Sequence, residues 1–371
     1  MNDSARVAVA FGGPSPEHDV SILTGLQAVH ELLGSAVEVT ALYWTRTGED
    51  WFRVAPELEA SDFLAGVPGG SERLRLVIGE DGGFSTAGRL GRGRSLPLDV
   101  VVNCCHGGPG EDGSLQGVLD LAGVMFTGPN VAGAALGMDK LAFAGLMAGA
   151  GLPALPRVAL HASLSDTGFA GPMIVKPRFG GSSIGVEVVE DLATARDRLS
   201  ANPHLKRGAV VEPFRADLFD LNVAVRTWPE PALSAIERPL RSASTEILGY
   251  ADKYVGGQGM ASAPRELPAV LSPSVADELR RQALVVTDLA DVRGVARIDF
   301  LSDGEALYVN EINTIPGSLA RYLWVDPPVP FGRLLADLVD EARRRPAGHH
   351  SAVGADGTVL RSAGSIAAKL S

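Results

Sequence analysis

The chain has 371 residues, of which 46% are hydrophobic and 21% are charged, and its formal net charge at pH 7 is -11. This length and apolar content exclude a disordered protein and are sufficient for a buried core in two or three compact units. Because 33 basic residues stand against 44 acidic ones, the chain lacks the broad positive field that holds a nucleic-acid backbone. Nucleic acid is therefore not an expected partner.

Secretion and membrane insertion are not expected either. Residues 1–7 pass directly into a strand-like run, without the charged and apolar regions of a secretory signal. No uncharged apolar stretch reaches the roughly 18 to 20 residues that a membrane span needs. The two cysteines, Cys104 and Cys105, end an apolar run and are predicted to be buried thiols. These features together predict a cytoplasmic protein.

The first third of the chain alternates strand and helix patterns. Strands are predicted at 7–11, 37–43, 98–104 and 124–127, and helices over 22–33 and from about Ser114. Residues 55–97, rich in Gly, Pro and polar residues, are expected to form irregular connections. This alternation predicts a doubly wound parallel sheet.

After residue 156 the pattern changes to short strands, which predicts two α+β units. The first has strands at 173–176, 186–189 and 209–213 and a charged helix at 192–199. The second has strands at 221–226, 295–301 and 306–312, a loop at 249–264, and a helix opened by Ser272 as N-cap and Pro273 at its first position. The small, polar tail after Pro346 is predicted to be loosely ordered.

A first glycine cluster, His-Gly-Gly-Pro-Gly-Glu-Asp-Gly at 106–113, formally contains the G-x-G-x-x-G pattern of a dinucleotide-binding turn. Glu111 and Asp112 would place negative charge where a pyrophosphate should lie, and the strand at 124–127 ends without the acidic residue that holds a ribose. NAD binding is therefore disfavoured. A plain structural turn stays an alternative.

A second cluster, Lys-Pro-Arg-Phe-Gly-Gly-Ser-Ser-Ile-Gly at 176–185, follows a predicted strand. Backbone amides of such a loop can bind phosphate oxygens, and Lys176 supplies a positive charge. It is not a Walker A motif, because no Gly-Lys-Ser/Thr occurs. Taken alone, the segment is equally consistent with a flexible loop between strands.

A third cluster carries two carboxylates and an amide on two successive predicted strands. Alternation places Arg297 and Asp299 on one face of the first strand, and Glu311 and Asn313 on one face of the second. Carboxylate and amide oxygens suit an octahedral Mg²⁺ that also takes ATP phosphate oxygens. The alternative is a solvated sheet face with one salt bridge, but the apolar neighbours favour a cleft.

These clusters, in this order and with Gly-Gly-Pro-Ser-Pro-Glu-His-Asp-Val-Ser at 12–21, resemble the D-alanine–D-alanine ligase family of ATP-grasp enzymes from about residue 6 to 345. The resemblance implies an ATP-grasp fold. Its parts are an N-terminal α/β domain (1–128), a central subdomain (129–213), a C-terminal subdomain (214–346) with a lid loop (249–264), and a tail (347–371). It also implies small amino-acid substrates, a homodimer, and ATP with two Mg²⁺ ions, Mn²⁺ being an alternative.

The resemblance further implies roles for individual residues. Glu17 would hold the ammonium of the first amino acid, and His106 would lie near its carboxylate. The nucleotide-binding set comprises Lys140 and Lys176 on the phosphates, Glu212 and Asp220 on adenine and ribose, and Lys253 and Tyr254 of the lid. Ser182 would join Glu17 and the lid in a hydrogen-bond set. Asp299, Glu311 and Asn313 would bind metal, while Arg297 and the Gly317 amide would stabilise the tetrahedral intermediate.

The sequence departs from the family after Gly317. By alignment, Tyr322 occupies the position of the serine that helps to hold the acceptor's carboxylate. Its hydroxyl could still donate a hydrogen bond to bind that substrate, but its ring would fill much of an alanine-sized pocket, and Arg321 adds a charge that could bind a carboxylate differently.

We therefore predict an ATP-dependent ligase that joins an amino-acid carboxylate to an amine through an acyl phosphate. The product is either a peptidoglycan precursor or a derivative joined or cyclised in specialised metabolism. A nucleotide-binding regulatory protein with a dead active site is disfavoured, because the catalytic residues are present.

Overall fold

The structure, a computed structural model, describes residues 5–79, 82–88, 93–240, 264–348, 352–366 and 369. In this part of the chain, three larger sheets follow one another along the sequence, and a two-stranded sheet lies beside the third. The ends of the three larger sheets meet around one cleft, so their strands determine where the polar side chains of the motifs lie.

The first sheet has six strands in the order β5-β4-β3-β2-β1-β6. Its strands are β1 (Arg6–Gly12), β2 (Glu38–Trp44), β3 (Trp51–Val54), β4 (Glu72–Val77), β5 (Gly83–Thr86) and β6 (Val100–Asn103). Only β6, β1 and β2 are parallel; β3, β4 and β5 add antiparallel pairs. Helices α1 (His18–Leu33) and α2 (Ser114–Leu121) pack on opposite faces of the parallel part.

The doubly wound α/β unit is thus confirmed, but the prediction of irregular connections over 55–97 is wrong in part. Strands β4 and β5 lie in that range, where Leu74 and Phe84 are buried against Trp51. Each strand buries very few apolar side chains and is otherwise polar or small, so its hydrophobic period is too weak to recognise from the sequence.

The second sheet has four antiparallel strands in the order β7-β10-β8-β9. Its strands are β7 (Val158–Leu160), β8 (Met173–Pro177), β9 (Glu187–Val189) and β10 (Ala209–Pro213), covered by α5 (Leu192–Ala201). Two short helices, α3 (Val131–Met138) and α4 (Lys140–Gly149), precede it. Asp139 separates them and caps α4 by accepting hydrogen bonds from Leu141 and Ala142.

The third sheet has the strand order β12-β11-β15-β16. Its strands are β11 (Phe219–Arg226), β12 (Ala232–Leu233), β15 (Val295–Ser302) and β16 (Leu307–Asn313), while β13 (Arg238–Pro239) pairs with β14 (Arg265–Glu266). Helix α6 (Pro273–Leu289) packs on this sheet, and Ser272 caps it as predicted. A register shift directly after Asp299 interrupts the β15–β16 pairing at the cleft.

Helix α7 (Phe331–Arg344) returns to the first sheet, where Leu334, Leu335 and Leu338 join the core built on β1 and α1. In the tail, α8 (Thr358–Ser362) buries none of its side chains. Cys104 and Cys105 are buried, as predicted. No helix among the described residues is long and apolar enough to cross a membrane. The division at residues 128 and 213 stays a prediction.

Candidate active site

The motifs from all three sheets line one cleft. Its polar walls are Glu17, His106, Glu111, Lys140, Ser182, Arg297, Glu311 and Asn313, and glycines 137, 180, 181 and 317 narrow it. The first sheet contributes the turns after β1 and β6, the second contributes the glycine-rich loop after β8, and the third contributes β15, β16 and Gly317. The sequence therefore identified residues that the fold brings together.

The carboxylate of Glu17 lies between two glycine turns. The Ser182 hydroxyl donates a hydrogen bond to its Oε1. A Cβ placed on Gly107 would lie 2.4 Å from Glu17 Oε2, and one on Gly181 would lie 2.9 Å from the same oxygen. Gly107 also has φ +63°, which favours glycine. Glycine at both positions lets the backbone approach this carboxylate closely.

His106 is buried and links two walls of the cleft. Its Nε2 lies 2.8 Å from the Thr24 hydroxyl, which also accepts a hydrogen bond from the Ser318 amide at 3.0 Å. Burial lowers the pKa of the His106 imidazole to about 4, although a hydrogen bond with the Ile315 backbone opposes this shift. His106 is therefore neutral at neutral pH and provides a hydrogen-bonding group rather than a charge.

Glu111 is a functional candidate that the sequence analysis missed. Its carboxylate accepts hydrogen bonds from the Gly107 amide (2.9 Å), the Ile315 amide (2.9 Å) and the Thr314 hydroxyl (3.2 Å). It thus joins the turn after β6 to the segment after β16. Burial and the nearby Glu17 carboxylate raise the pKa of Glu111 to about 7. In the sequence the charge of Glu111 is evidence only against NAD binding, and no spacing or period marks its contacts with residues 314 and 315.

Lys140 lies where the second and third sheets face each other. It is the first residue of α4, and its ammonium group donates to the Gly180 carbonyl and lies 3.5 Å from Glu311 Oε2. The Arg178 guanidinium fixes the start of this helix through a two-point contact with Asp139. Lys140 is therefore held by a capped helix end, close to a carboxylate of the third sheet.

Lys176 and Glu212 form an ion pair on adjacent strands, as the β8–β10 register requires. Arg157, which the sequence analysis also missed, donates to Glu212 Oε2 (2.8 Å) and to Asn310 Oδ1 (3.1 Å). Burial, reinforced by the Arg157 charge, lowers the pKa of the Lys176 ammonium. Asp220 on β11 is close enough to favour the charged form of Lys176. Arg157 follows Pro156 outside any motif, so no sequence signal marked it.

The third sheet presents the predicted metal ligands side by side. Asp299 is the cross-strand partner of Glu311, and Arg297 that of Asn313. The Arg297 guanidinium makes a two-point contact with the Asp299 carboxylate, with both N–O distances at 2.7 Å, and the Asn313 amide nitrogen lies 3.0 Å from Asp299 Oδ2. Asp299 and Arg297 are both buried, which agrees with the cleft that the apolar neighbours predicted.

Comparison with known proteins decides the family. Residues 6–129 match the family model described as D-ala D-ala ligase N-terminus, and residues 147–340 match the one described as D-ala D-ala ligase C-terminus. The D-alanine–D-alanine ligase of Bradyrhizobium sp. (strain ORS 278) is 31% identical over 360 residues, covering 93% of this chain and 97% of that protein. The chain belongs to the D-alanine–D-alanine ligase family.

Two further comparisons agree with this D-alanine–D-alanine ligase assignment. A protein of the same name from Mycolicibacterium gilvum (strain PYR-GCK) is 33% identical, covering 94% of this chain and 100% of its own length. The solved structure of the D-alanine–D-alanine ligase from Coxiella burnetii superposes with a TM-score of 0.75 at 23% identity, covering 92% of this chain and 95% of that one. The predicted ATP-grasp fold is confirmed, and the protein is an ATP-dependent ligase of this type.

Membership of the D-alanine–D-alanine ligase family implies ATP and a divalent metal, and the donor atoms of the cleft fit both. Asp299 and Glu311 offer carboxylate oxygens on neighbouring strands, and Asn313 offers an amide oxygen. No group of three or more His, Cys, Asp or Glu side chains is arranged to hold a metal within the described ranges. An ion here must therefore complete its coordination with water and phosphate oxygens, as Mg²⁺ commonly does.

Of the predicted site residues that the structure describes, six are not among those that line the cleft: Lys176, Glu212, Asp220, Asp299, Arg321 and Tyr322. Lys253 and Tyr254 lie outside the described residues. Arg321 is exposed and its guanidinium lies 5.4 Å from the ring centroid of Phe331, at the start of α7. Tyr322 is directed inwards, with its hydroxyl 3.4 Å from Arg297 Nη1, but it is not among the residues that line the cleft.

Proposed function

We propose that this ligase forms a peptide bond between two amino acids by way of an acyl phosphate, with D-alanine as the first substrate. The observation that carries this proposal is the single cleft into which Glu17, Lys140, Arg297 and Glu311 project from different sheets. The proposed sites thus adjoin one another: one for the ammonium group, one for phosphate, one for the metal and one for the oxyanion. The names of the relatives support D-alanine as the substrate.

The Glu17 carboxylate would bind the ammonium of the first amino acid. Ser182 fixes one oxygen of that carboxylate, and the backbones of Gly107 and Gly181 lie close to it. The neutral His106 would lie near the substrate's carboxylate without forming an ion pair with it. The carboxylate is then positioned to attack the terminal phosphate of ATP.

Lys140 and Lys176 would neutralise charge on the phosphates, and binding of phosphate would favour the charged form of Lys176 against its burial. Asp299, Glu311 and Asn313 would hold Mg²⁺ ions, which neutralise charge on the transferred phosphoryl group. We propose that two Mg²⁺ ions bind there. Glu212 and Asp220 would contact the adenosine part of the nucleotide.

In the second step an amine attacks the acyl phosphate, a tetrahedral oxyanion forms, and phosphate leaves. Arg297 and the Gly317 amide, which both line the cleft, would donate hydrogen bonds to this oxyanion. The two-point contact with Asp299 fixes the plane of the Arg297 guanidinium before the reaction. The donors therefore need little reorganisation when negative charge develops.

The identity of the second amino acid is a separate proposal, because the sequence departs from the family in the segment after Gly317. Ser318, Leu319 and Ala320 all have positive φ values, between 48° and 52°, and form a left-handed turn beside the cleft. Such backbone conformations cost free energy and cluster at functional sites. We propose D-alanine as the acceptor too; the altered turn favours, as a second candidate, a ligase that joins or cyclises a different amino-acid derivative in specialised metabolism.

The test is to incubate the purified protein with ATP, Mg²⁺ and D-alanine and to measure ADP and the product mass. One D-alanyl-D-alanine per ADP supports the proposal and places the enzyme in peptidoglycan precursor synthesis, in the cytoplasm. ADP release that requires another amino acid or amine supports the second candidate. Absence of ADP release with every amino acid tested would contradict both. Sedimentation of the same sample tests the proposed homodimer.

A further inference from the structure

Tyr322 contacts Arg297 from outside the cleft. Its hydroxyl lies 3.4 Å from Arg297 Nη1, at the long end of hydrogen-bond distances, and it is the guanidinium that donates. Burial raises the pKa of the Tyr322 hydroxyl further above its ordinary value, so it stays protonated. Arg297 lines the cleft, whereas Tyr322 contacts the Arg297 guanidinium without being among the lining residues.

A second arginine supports the tyrosine ring. The Arg265 guanidinium lies 5.0 Å from the ring centroid of Tyr322 and donates to Glu237 Oε1 at 2.8 Å. Glu237 in turn accepts a hydrogen bond of 3.1 Å from the Asn222 amide, on β11. Both charged side chains are nearly buried, with 12% of Arg265 and 4% of Glu237 exposed. Buried charges of this kind hold a fixed geometry because each has a specific partner.

We infer that Tyr322 and Arg265 are positioning residues for Arg297: they fix the guanidinium that stabilises the tetrahedral intermediate, and Tyr322 does not bind the acceptor's carboxylate. Asp299 holds the Nε and Nη2 edge of Arg297, and Tyr322 contacts Nη1. Asp299 and Tyr322 therefore contact different nitrogen atoms of the guanidinium. This inference rests on the proposed function of Arg297 and replaces the binding role that the sequence suggested for Tyr322.

The charge arrangement explains why a tyrosine suits this position. A neutral hydroxyl can accept a hydrogen bond from Arg297 without adding a negative charge beside Asp299. The Tyr322 ring is polarisable and attracts the Arg265 cation, whose charge is compensated by Glu237. The result is a chain of contacts from Asn222 on β11 to the catalytic arginine on β15.

Two acceptor amines, one with a carboxylate and one without, distinguish a positioning role of Tyr322 from binding of the acceptor. Tyr322→Phe and Arg265→Gln should each lower the maximal rate about 10-fold with D-alanine as acceptor and by the same factor with D-alaninamide, which has no carboxylate. KM for ATP should stay within twofold. Because Arg265 acts through Tyr322, the double variant should be no slower than the slower single variant. Arg238→Gln is the matched control, because the Arg238 guanidinium also lies over an aromatic ring, that of Phe219 on β11.

A loss confined to D-alanine, seen as a higher KM with an unchanged maximal rate, would overturn the inference, because it would mean that Tyr322 binds the acceptor's carboxylate. Additive losses in the double variant would overturn it too.

A measurement without substrate covers the case in which the proposed function itself fails. Hydrogen exchange of the Arg297 Nε proton, assigned in ¹⁵N spectra by its loss in Arg297→Lys, should accelerate at least tenfold in Tyr322→Phe and Arg265→Gln and stay unchanged in Arg238→Gln. Unchanged exchange in the first two variants would contradict a positioning role.

Discussion

Asp299 is the side chain on which the contacts of the third sheet converge. It meets the Arg297 guanidinium at two points and the Asn313 amide at one, and it faces Glu311 across the strands. The sequence predicted this group from strand alternation alone, because two-residue periodicity fixes which side chains share a face. It could not predict the partners, since Arg297–Asp299 pairing depends on side-chain rotamers.

Asp299→Asn should lower the maximal rate of ADP release by about 100-fold or more, because it removes a charged metal ligand from the reaction centre. The fold should remain intact, as a circular dichroism spectrum that matches that of wild type would show. Asp303→Asn is the matched control, since Asp303 lies in the β15–β16 turn and an amide oxygen can replace its hydrogen bonds to the Glu305 and Ala306 amides. Unchanged activity in Asp299→Asn would remove the metal assignment.

Glu111 should make stability depend on pH. Burial raises its pKa from the ordinary value of 4.5 to about 7 in the folded protein, so the folded state binds the proton more tightly than the unfolded state. This group therefore stabilises the fold most at low pH, and its contribution falls as pH rises from about 4.5 through 7. Relative to Glu111→Gln, which has no charge at this position, the free energy of unfolding of wild type should fall by about 2 kcal/mol between pH 5 and pH 8.

Urea denaturation of both proteins at the two pH values measures this difference. A constant difference between wild type and Glu111→Gln across the range would show that Glu111 keeps an ordinary pKa.

At the scale of elements, the site depends most on the backbone conformation of the glycine-rich loop after β8. Ser182 and Ser183 have positive φ values of 53° and 58°, a conformation that costs free energy in residues other than glycine. The sequence showed a loop that could hold phosphate. Only the family resemblance implied that the same loop contacts Glu17 of another sheet, because that contact depends on how two units are packed.

Gly181→Ala should raise KM for the first amino acid about 10-fold, equal to about 1.4 kcal/mol. The new Cβ would lie 2.9 and 3.0 Å from the two Glu17 carboxylate oxygens, so the ammonium site must shift. Gly145→Ala, in α4 with no atom within 4 Å of the new Cβ, should leave KM unchanged and stabilise the helix by up to about 1 kcal/mol. Equal KM values for wild type and Gly181→Ala, from initial rates, would contradict this account of the loop.

At the scale of the whole molecule, ligand binding should stabilise a protein whose site is built from three sheets. ATP with Mg²⁺ at 100 times its Kd should add about 2.7 kcal/mol to the free energy of unfolding. Mg²⁺ alone should add little, because the described part of the chain offers too few carboxylates to hold it without phosphate. Thermal unfolding with ATP, with and without a metal chelator, measures this stabilisation. An equal increase in stability in the presence of the chelator would contradict metal-dependent binding.

The order of units along the chain was predictable from strand and helix periods and from the order of four motifs. Other features were not: β4 and β5 have weak periods, α7 packs back on the first sheet, and Glu111 and Arg157 act through contacts between distant segments. These depend on packing between units, for which a single sequence carries no local signal.

The central claim is that ATP activates the donor's carboxylate as an acyl phosphate. The most direct test traces an oxygen atom of that carboxylate. With D-alanine carrying ¹⁸O in its carboxylate, ATP and Mg²⁺, an acyl phosphate transfers one donor oxygen to the phosphate that leaves. We predict one ¹⁸O in each phosphate released, in step with ADP and product. ADP release with phosphate that contains no ¹⁸O would show that the carboxylate is not activated by phosphoryl transfer, and would contradict the mechanism built on Glu17, Lys140 and Asp299.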